Sequence, residues 1–271
     1  MDRQQLLQEV PHKEKNGIFV VNSPTAVSAN KTVERILTNY CDSKTALFLS
    51  GGRTPIHLFE AIAVKKCIKT GAVGLVDERF GEKWHKGSNE LMIKNTGILD
   101  YFESLNIRFY PILQDSKKKE SVYHKLVYDT TIEQIAKDYD ESLRFLFKYF
   151  PKTVGILGIG EDGHTAGIPA GNSKSQIPNP KLLGITKRIL EDQSSLVTYY
   201  EDESGKYGAR VTMTFLALGQ LDLIILLVLG QEKREALKLM FDDGSIEETP
   251  AKFYLQPEIA EKTILITDQI V

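Results

Sequence analysis

The seven-residue run Leu223–Leu229, LIILLVL, constrains this chain more than any other feature. It is far too short to cross a bilayer, which takes about 20 apolar residues, and Asp222 stands directly before it. An unbroken apolar run, rather than an alternating one, reads as a strand covered on both faces, the condition of a parallel sheet. Six more runs repeat the pattern: Gly17–Val21, Ala46–Leu49, Ala72–Val76, Ile107–Tyr110, Val154–Leu157 and Thr263–Thr267. Between them lie segments with apolar residues at helical spacing. Thr25–Tyr40 carries Val33, Ile36 and Leu37, and Ile56–Ile68 carries Leu58, Phe59, Ile62 and Ala63. Thr131–Phe147 and Lys233–Met240 read the same way. This alternation predicts an α/β fold, a mostly parallel sheet with helices on both faces and right-handed crossovers.

The 271 residues show no repeat and no clear linker. One continuous domain over 1–271 is expected, with roughly the first 16 residues peripheral. Gln114–Tyr128, rich in lysine, reads as a solvated loop or helix face, and Ile168–Pro180 as a loop. Lysine and arginine total 34 and aspartate and glutamate 36, a net charge of −2, so no nucleic-acid partner is expected. The polar N-terminus lacks the apolar core of a signal peptide, and no membrane segment is expected. Cys41 and Cys67 make neither a disulfide framework nor a zinc quartet and suit a reducing cytoplasm. The histidines are not spaced as metal ligands, so no metal is expected.

In open α/β sheets, ligands bind beyond the carboxyl ends of the strands, so the residues after each apolar run carry the chemistry. After ALFL stands Ser50-Gly51-Gly52-Arg53-Thr54-Pro55. Two glycines permit close backbone approach, Thr54 can cap the following helix, and Pro55 fits its first position. The exposed N–H groups and the helix end would then hold an anion, with the Arg53 guanidinium matching phosphate oxygens; a plain tight turn is the alternative. After AVGLV stand Asp77-Glu78-Arg79, then Ser88-Asn89, either a solvated loop or the rim of a pocket. The strongest signal is Leu157-Gly158-Ile159-Gly160-Glu161-Asp162-Gly163-His164-Thr165-Ala166. Its glycines make a tight loop presenting a histidine that can take a proton near neutrality and a carboxylate to orient it. No serine or cysteine is framed as a nucleophile, which favours attack by activated water. Lys233, after LIILLVL, and Arg210, opening VTMTF, could each add charge for a phosphate or be ordinary surface cations.

Taken in order, SGGRTP, DERF…GSN, LGIGEDGHTA, RVTMT and LLVLGQEK resemble the 6-phosphogluconolactonase family from about Phe19 to the C-terminus. The resemblance implies a Rossmann-like α/β fold shared with glucosamine-6-phosphate deaminases. It also implies hydrolysis of 6-phospho-D-glucono-1,5-lactone, a small-molecule substrate, without a cofactor, by a monomer or small homo-oligomer. The mechanism expected for that reaction makes His164 the general base, Asp162 its orienting partner, and Arg79 or backbone N–H groups of the glycine loops the partner of the developing oxyanion. Gly51, Gly52, Arg53, Thr54, Asp77, Asn89, Arg210 and Lys233 bind the substrate and its phosphate. Two positions depart from the family: Arg53 replaces a small residue, and Gly167-Ile168-Pro169 shortens the stretch after His164. Two rival functions are a sugar-phosphate deaminase and a non-catalytic sugar-phosphate binder. The deaminase pattern places a glutamate shortly after the histidine, whereas Thr165 to Pro169 contain no carboxylate. The binder reading lacks a helix-turn-helix module before Gly17.

Overall fold

The computed structural model describes residues 3–114, 131–171, 179–202 and 205–271. Its main sheet has eight strands, in the order β1 (Lys13–Lys15), β2 (Ile18–Asn22), β11 (Thr263–Thr267), β10 (Leu223–Val228), β7 (Lys152–Leu157), β3 (Thr45–Leu49), β4 (Ala72–Leu75) and β6 (Arg108–Tyr110). All seven apolar runs supply strands of this sheet, and β1 alone runs antiparallel, against β2. Every residue of β3, β4, β10 and β11 is buried. Successive side chains of a strand point to opposite faces, so both faces are covered.

Helix starts follow local chemistry. In the helix Ala26–Tyr40 the Thr25 hydroxyl accepts from the Ser28 N–H at 3.1 Å, and Ser28 returns the bond to the Thr25 backbone, a reciprocal cap. In the helix Ile132–Tyr149 Thr131 caps Gln134. The run Lys233–Met240 divides into a 3₁₀ turn at Gln231–Lys233 and a helix at Arg234–Phe241. The expected cap at Thr54 is not made. The helix Ile56–Lys65 begins after Pro55, and no side chain bonds its first N–H groups. The 114–128 loop expectation lies outside the described residues except at Gln114, as do residues 172–178 of the 168–180 loop.

Two features differ from the sequence expectation. The N-terminal segment is built in rather than peripheral: Leu6 and Leu7 are buried, and the Arg3 guanidinium donates to the carbonyls of Gly17, Ala260 and Thr263. A second, antiparallel sheet is also present, ordered β5 (Asp77–Arg79), β9 (Ala209–Met213), β8 (Val197–Glu201). Three charged residues carry no strand pattern, yet β5 forms because β9 supplies a backbone ladder for it, with Asp77 opposite Thr212 and Arg79 opposite Arg210.

The two sheets join where the chain leaves β4. The buried Tyr139 hydroxyl of the helix Ile132–Tyr149 donates to the Leu75 carbonyl at 2.5 Å and accepts from the Leu75 N–H at 2.8 Å. Just beyond, the Val76 N–H donates to the Leu49 carbonyl, and its own carbonyl accepts from the Met213 N–H. Tyr139→Phe removes a partner from two buried backbone groups at once. It is expected to cost about 1–3 kcal/mol in urea unfolding, with no change in the slope of the transition.

Candidate active site

The loops leaving β3, β4, β7 and β10 converge on a cleft of about 700 Å³. The sheet order explains its place. From β3 the chain proceeds outward to β4 and β6, whereas from β7 it proceeds the other way to β10. Loops that part in opposite directions from adjacent strands leave a crevice between them. All eleven residues singled out from the sequence line this one cleft.

The loop after β7 is held tightly. The Gly160 N–H donates to the His164 carbonyl at 2.8 Å, and the Gly163 N–H to the Gly160 carbonyl at 3.0 Å. Gly163 (φ +86°) turns the chain in a conformation that other residues adopt only with strain. Behind the loop, the Thr165 hydroxyl donates to the Gly158 carbonyl and meets the buried Tyr254 hydroxyl, each at 2.8 Å. This frame brings His164 Nδ1 to 2.6 Å from Asp162 Oδ1, and the His164 backbone N–H donates to the same oxygen at 3.1 Å. A carboxylate accepts only, so Nδ1 carries a proton, and in the neutral ring Nε2 is then the nitrogen with the lone pair. Gly160 is the floor beneath the ring: a Cβ there would lie 2.0 Å from the imidazole.

The loop after β3 uses its glycines differently. A Cβ on Gly51 would lie 1.9 Å from the Asn89 side chain, so Gly51 is required by space. Gly52 has φ +103° with nothing near it, so it is required by conformation. Asn89 donates through Nδ2 to the Asp77 carbonyl at 2.8 Å and accepts from the Arg79 guanidinium at 2.6 Å. Arg79 also donates to the Gly87 carbonyl. Arg210 differs from a free phosphate ligand. Its buried guanidinium pairs with Asp77 at 2.9 Å and donates through Nε to the Tyr207 carbonyl. Arg53 and Lys233 have no carboxylate partner within ion-pair distance among the described residues.

Residues 22–264 match the family described as glucosamine-6-phosphate isomerases/6-phosphogluconolactonase. The chain belongs to this family. Relatives within reach of sequence comparison include a 6-phosphogluconolactonase of Xylella fastidiosa, 26% identical over 216 residues, covering 79% of each chain. Another, from Nostoc, is 26% identical over 258 residues, covering 90% of this chain and 92% of the relative. Among solved structures, 6-phosphogluconolactonase from Plasmodium vivax aligns with a TM-score of 0.69 at 20% identity, covering 100% of this chain and 97% of that one. The Thermotoga maritima enzyme aligns with a TM-score of 0.63 at 22% identity, covering 92% and 98%. At those identities the structural likeness shows the shared fold.

Within this family member, sequence reasoning missed three contributors. Lys206 and Tyr207, in the turn from β8 to β9, both reach Asp162 Oδ2, Lys206 from the cleft wall and Tyr207 from a buried position. Neither stands beside an apolar run, and only the pairing of β8 with β9 brings them near. Glu78 is the third. Fully buried, its carboxylate accepts from the backbone N–H groups of Arg79, Asn89 and Glu90 and from the Ser88 hydroxyl, at 2.7–2.9 Å. Burial pushes the Glu78 carboxyl up, and these four donors pull part of that back.

Two further groups in the cleft are shifted. Burial opposes ionisation of Asp162, but the hydrogen bond and charge of His164, with the bonds from Lys206 and Tyr207, outweigh it. The carboxyl is held well below its ordinary 3.8. Burial lowers the Lys233 ammonium, and Arg53 lowers it further, while Glu161 and Glu232 act the other way. A depressed carboxyl stabilises the fold above its unfolded value and loses that contribution as pH falls. Unfolding free energy should therefore drop as pH is taken below about 4, and Asp162→Asn should flatten that part of the curve. Gly160→Ala is expected to expel the imidazole from its seat. The His164 ring resonances would then lose the signature of an Nδ1–H bonded to carboxylate, while the far-ultraviolet circular dichroism is retained.

Proposed function

We propose that this chain hydrolyses 6-phospho-D-glucono-1,5-lactone to 6-phosphogluconate, with His164 as general base. The observation that carries the reading is the presence in one cleft of an imidazole oriented by Asp162 and two cations, Arg53 and Lys233, that make no ion pair among the described residues. The names of the relatives support the same reaction.

The phosphate lies against Gly51, Gly52, Arg53 and Thr54, with Lys233 adding charge. That anchors the far end of the sugar and turns remote binding energy into orientation of the lactone carbonyl. His164 Nε2 takes a proton from water, whose oxygen attacks the carbonyl carbon. Negative charge gathers on the carbonyl oxygen, where Arg79, held by Asn89 and the Gly87 carbonyl, stabilises it. The tetrahedral intermediate collapses by breaking the bond to the ring oxygen, which leaves as a hydroxyl with the proton held by the imidazolium. Asp77 and Arg210 neutralise each other and act by shaping the wall.

A lactone already has an electrophilic carbonyl and needs a base and an oxyanion partner. Deamination of an amino sugar phosphate must also open a ring and move a proton between carbons. No carboxylate stands among Thr165–Pro169, directly after His164, to do so. An assay on freshly generated lactone, corrected for spontaneous hydrolysis and run beside glucosamine 6-phosphate, is expected to show turnover of the lactone only. His164→Ala should lower kcat by about 10²–10⁴-fold. Lys233→Ala should raise KM roughly tenfold, with kcat less affected. Ammonia release from glucosamine 6-phosphate, or lactone hydrolysis no faster than in buffer, would overturn the assignment.

A further inference from the structure

We propose that Lys206 and Tyr207 are positioning residues that anchor the outer oxygen of Asp162 and so set how strongly its carboxylate holds the His164 imidazole. The proposal rests on His164 being the base of the reaction above.

Asp162 divides its two oxygens between two tasks. Oδ1 takes the His164 ring and backbone N–H groups, and Oδ2 takes the Lys206 ammonium and the Tyr207 hydroxyl. With donors on both sides, the carboxylate cannot rotate without breaking a charge-assisted bond. Tyr207 is itself clamped. Its hydroxyl accepts from the Ala170 N–H at 3.2 Å, and its backbone N–H donates to Asp202 at 2.9 Å. Its ring meets the imidazole edge-on, at 86° and 5.3 Å between centroids. Gly205 (φ +77°) and Gly208 (φ +65°) flank the pair and let the turn aim both residues at one oxygen.

This arrangement has an electrostatic consequence. Negative charge shared with an ammonium and a hydroxyl is less available to stabilise an imidazolium, and the Lys206 cation also repels it. Lys206 and Tyr207 therefore oppose protonation of the base, whereas a bare aspartate would favour it. The other charged or titratable groups facing the pair are Glu161 and Lys233, with Arg53 beyond, the mutually paired Asp77 and Arg210, and the buried Tyr200. They stay in place in the variants below.

The experiment compares the wild type with Tyr207→Phe, Lys206→Met and Lys206→Arg, by lactone kinetics across pH and by nuclear magnetic resonance titration of the His164 ring. In Tyr207→Phe and Lys206→Met the ring titration and the acidic limb of kcat/KM should both move to higher pH, by a few tenths to about one unit. The kcat at neutral pH should fall roughly two- to tenfold, with KM within about twofold. Lys206→Arg should restore wild-type behaviour. Unmoved titrations, a change in KM alone, or identical behaviour of Lys206→Met and Lys206→Arg would overturn the proposal. Should Tyr207→Phe not fold, the two Lys206 variants decide. The ring titration is independent of turnover, so a wild type inactive on the lactone would sink the functional reading and leave this test standing.

Discussion

The hydrogen bond from His164 Nδ1 to Asp162 Oδ1 persists because the groups around it are fixed from several directions. A glycine leaves room for the ring beneath, the Thr165–Tyr254 contact pins the loop behind, and the β8–β9 turn closes on the carboxylate from outside. None of these supports belongs to a single element. The floor and back come from the loop after β7 and from Tyr254 in the 3₁₀ segment Pro250–Leu255, and the outer clamp comes from the second sheet. An imidazole–carboxylate pair assembled this way is precise because its neighbours leave it no alternative arrangement, which is the preorganisation that the base proposed above requires.

The cations of the cleft divide by the same logic. Arg210 and Lys206 are each tied to an aspartate, so their charge is spent within the protein. Arg79 is bound to neutral acceptors and keeps its full charge facing the cleft wall. Arg53 and Lys233 line the same cleft, where burial above all lowers the Lys233 ammonium and Arg53 adds to the lowering, against Glu161 and Glu232. Two like charges in one cleft, neither in an ion pair among the described residues, make a place where an incoming dianion would be worth more than at an isolated cation. The charge pattern thus separates cations already paired within the protein from cations open to the cleft, the division that the proposed reaction uses.

Much of this was legible in the residues. The seven strands of the parallel sheet showed themselves because burial on both faces leaves an unbroken apolar run, and the chemistry followed because such strands send their polar groups to the loops. The second sheet was not legible. Asp77–Arg79 is charged throughout, and it is a strand only because β9 lies alongside. Arg210 shows the limit for side chains: its position in the cleft could be inferred, but its neutralisation by Asp77 depends on a pairing between residues 133 positions apart. Lys206 and Tyr207 were missed for the same reason, since no local pattern reports a contact made across a turn. Thr54 reads as a cap from its place before Pro55, yet the backbone begins its helix one residue later.

The Glu78 carboxylate grips both ends of the arc that runs from Arg79 to Asn89, while most of the residues between, 81–87, face solvent. One side chain therefore acts as the clasp of a loop whose length it does not dictate. Residues could be inserted or lost at the exposed tip, 82–84, with Glu78 and the Gly87 carbonyl still holding Arg79 and Asn89. The surface beside the cleft is thereby free to drift over evolutionary time while the side chains that line the cleft stay where they are.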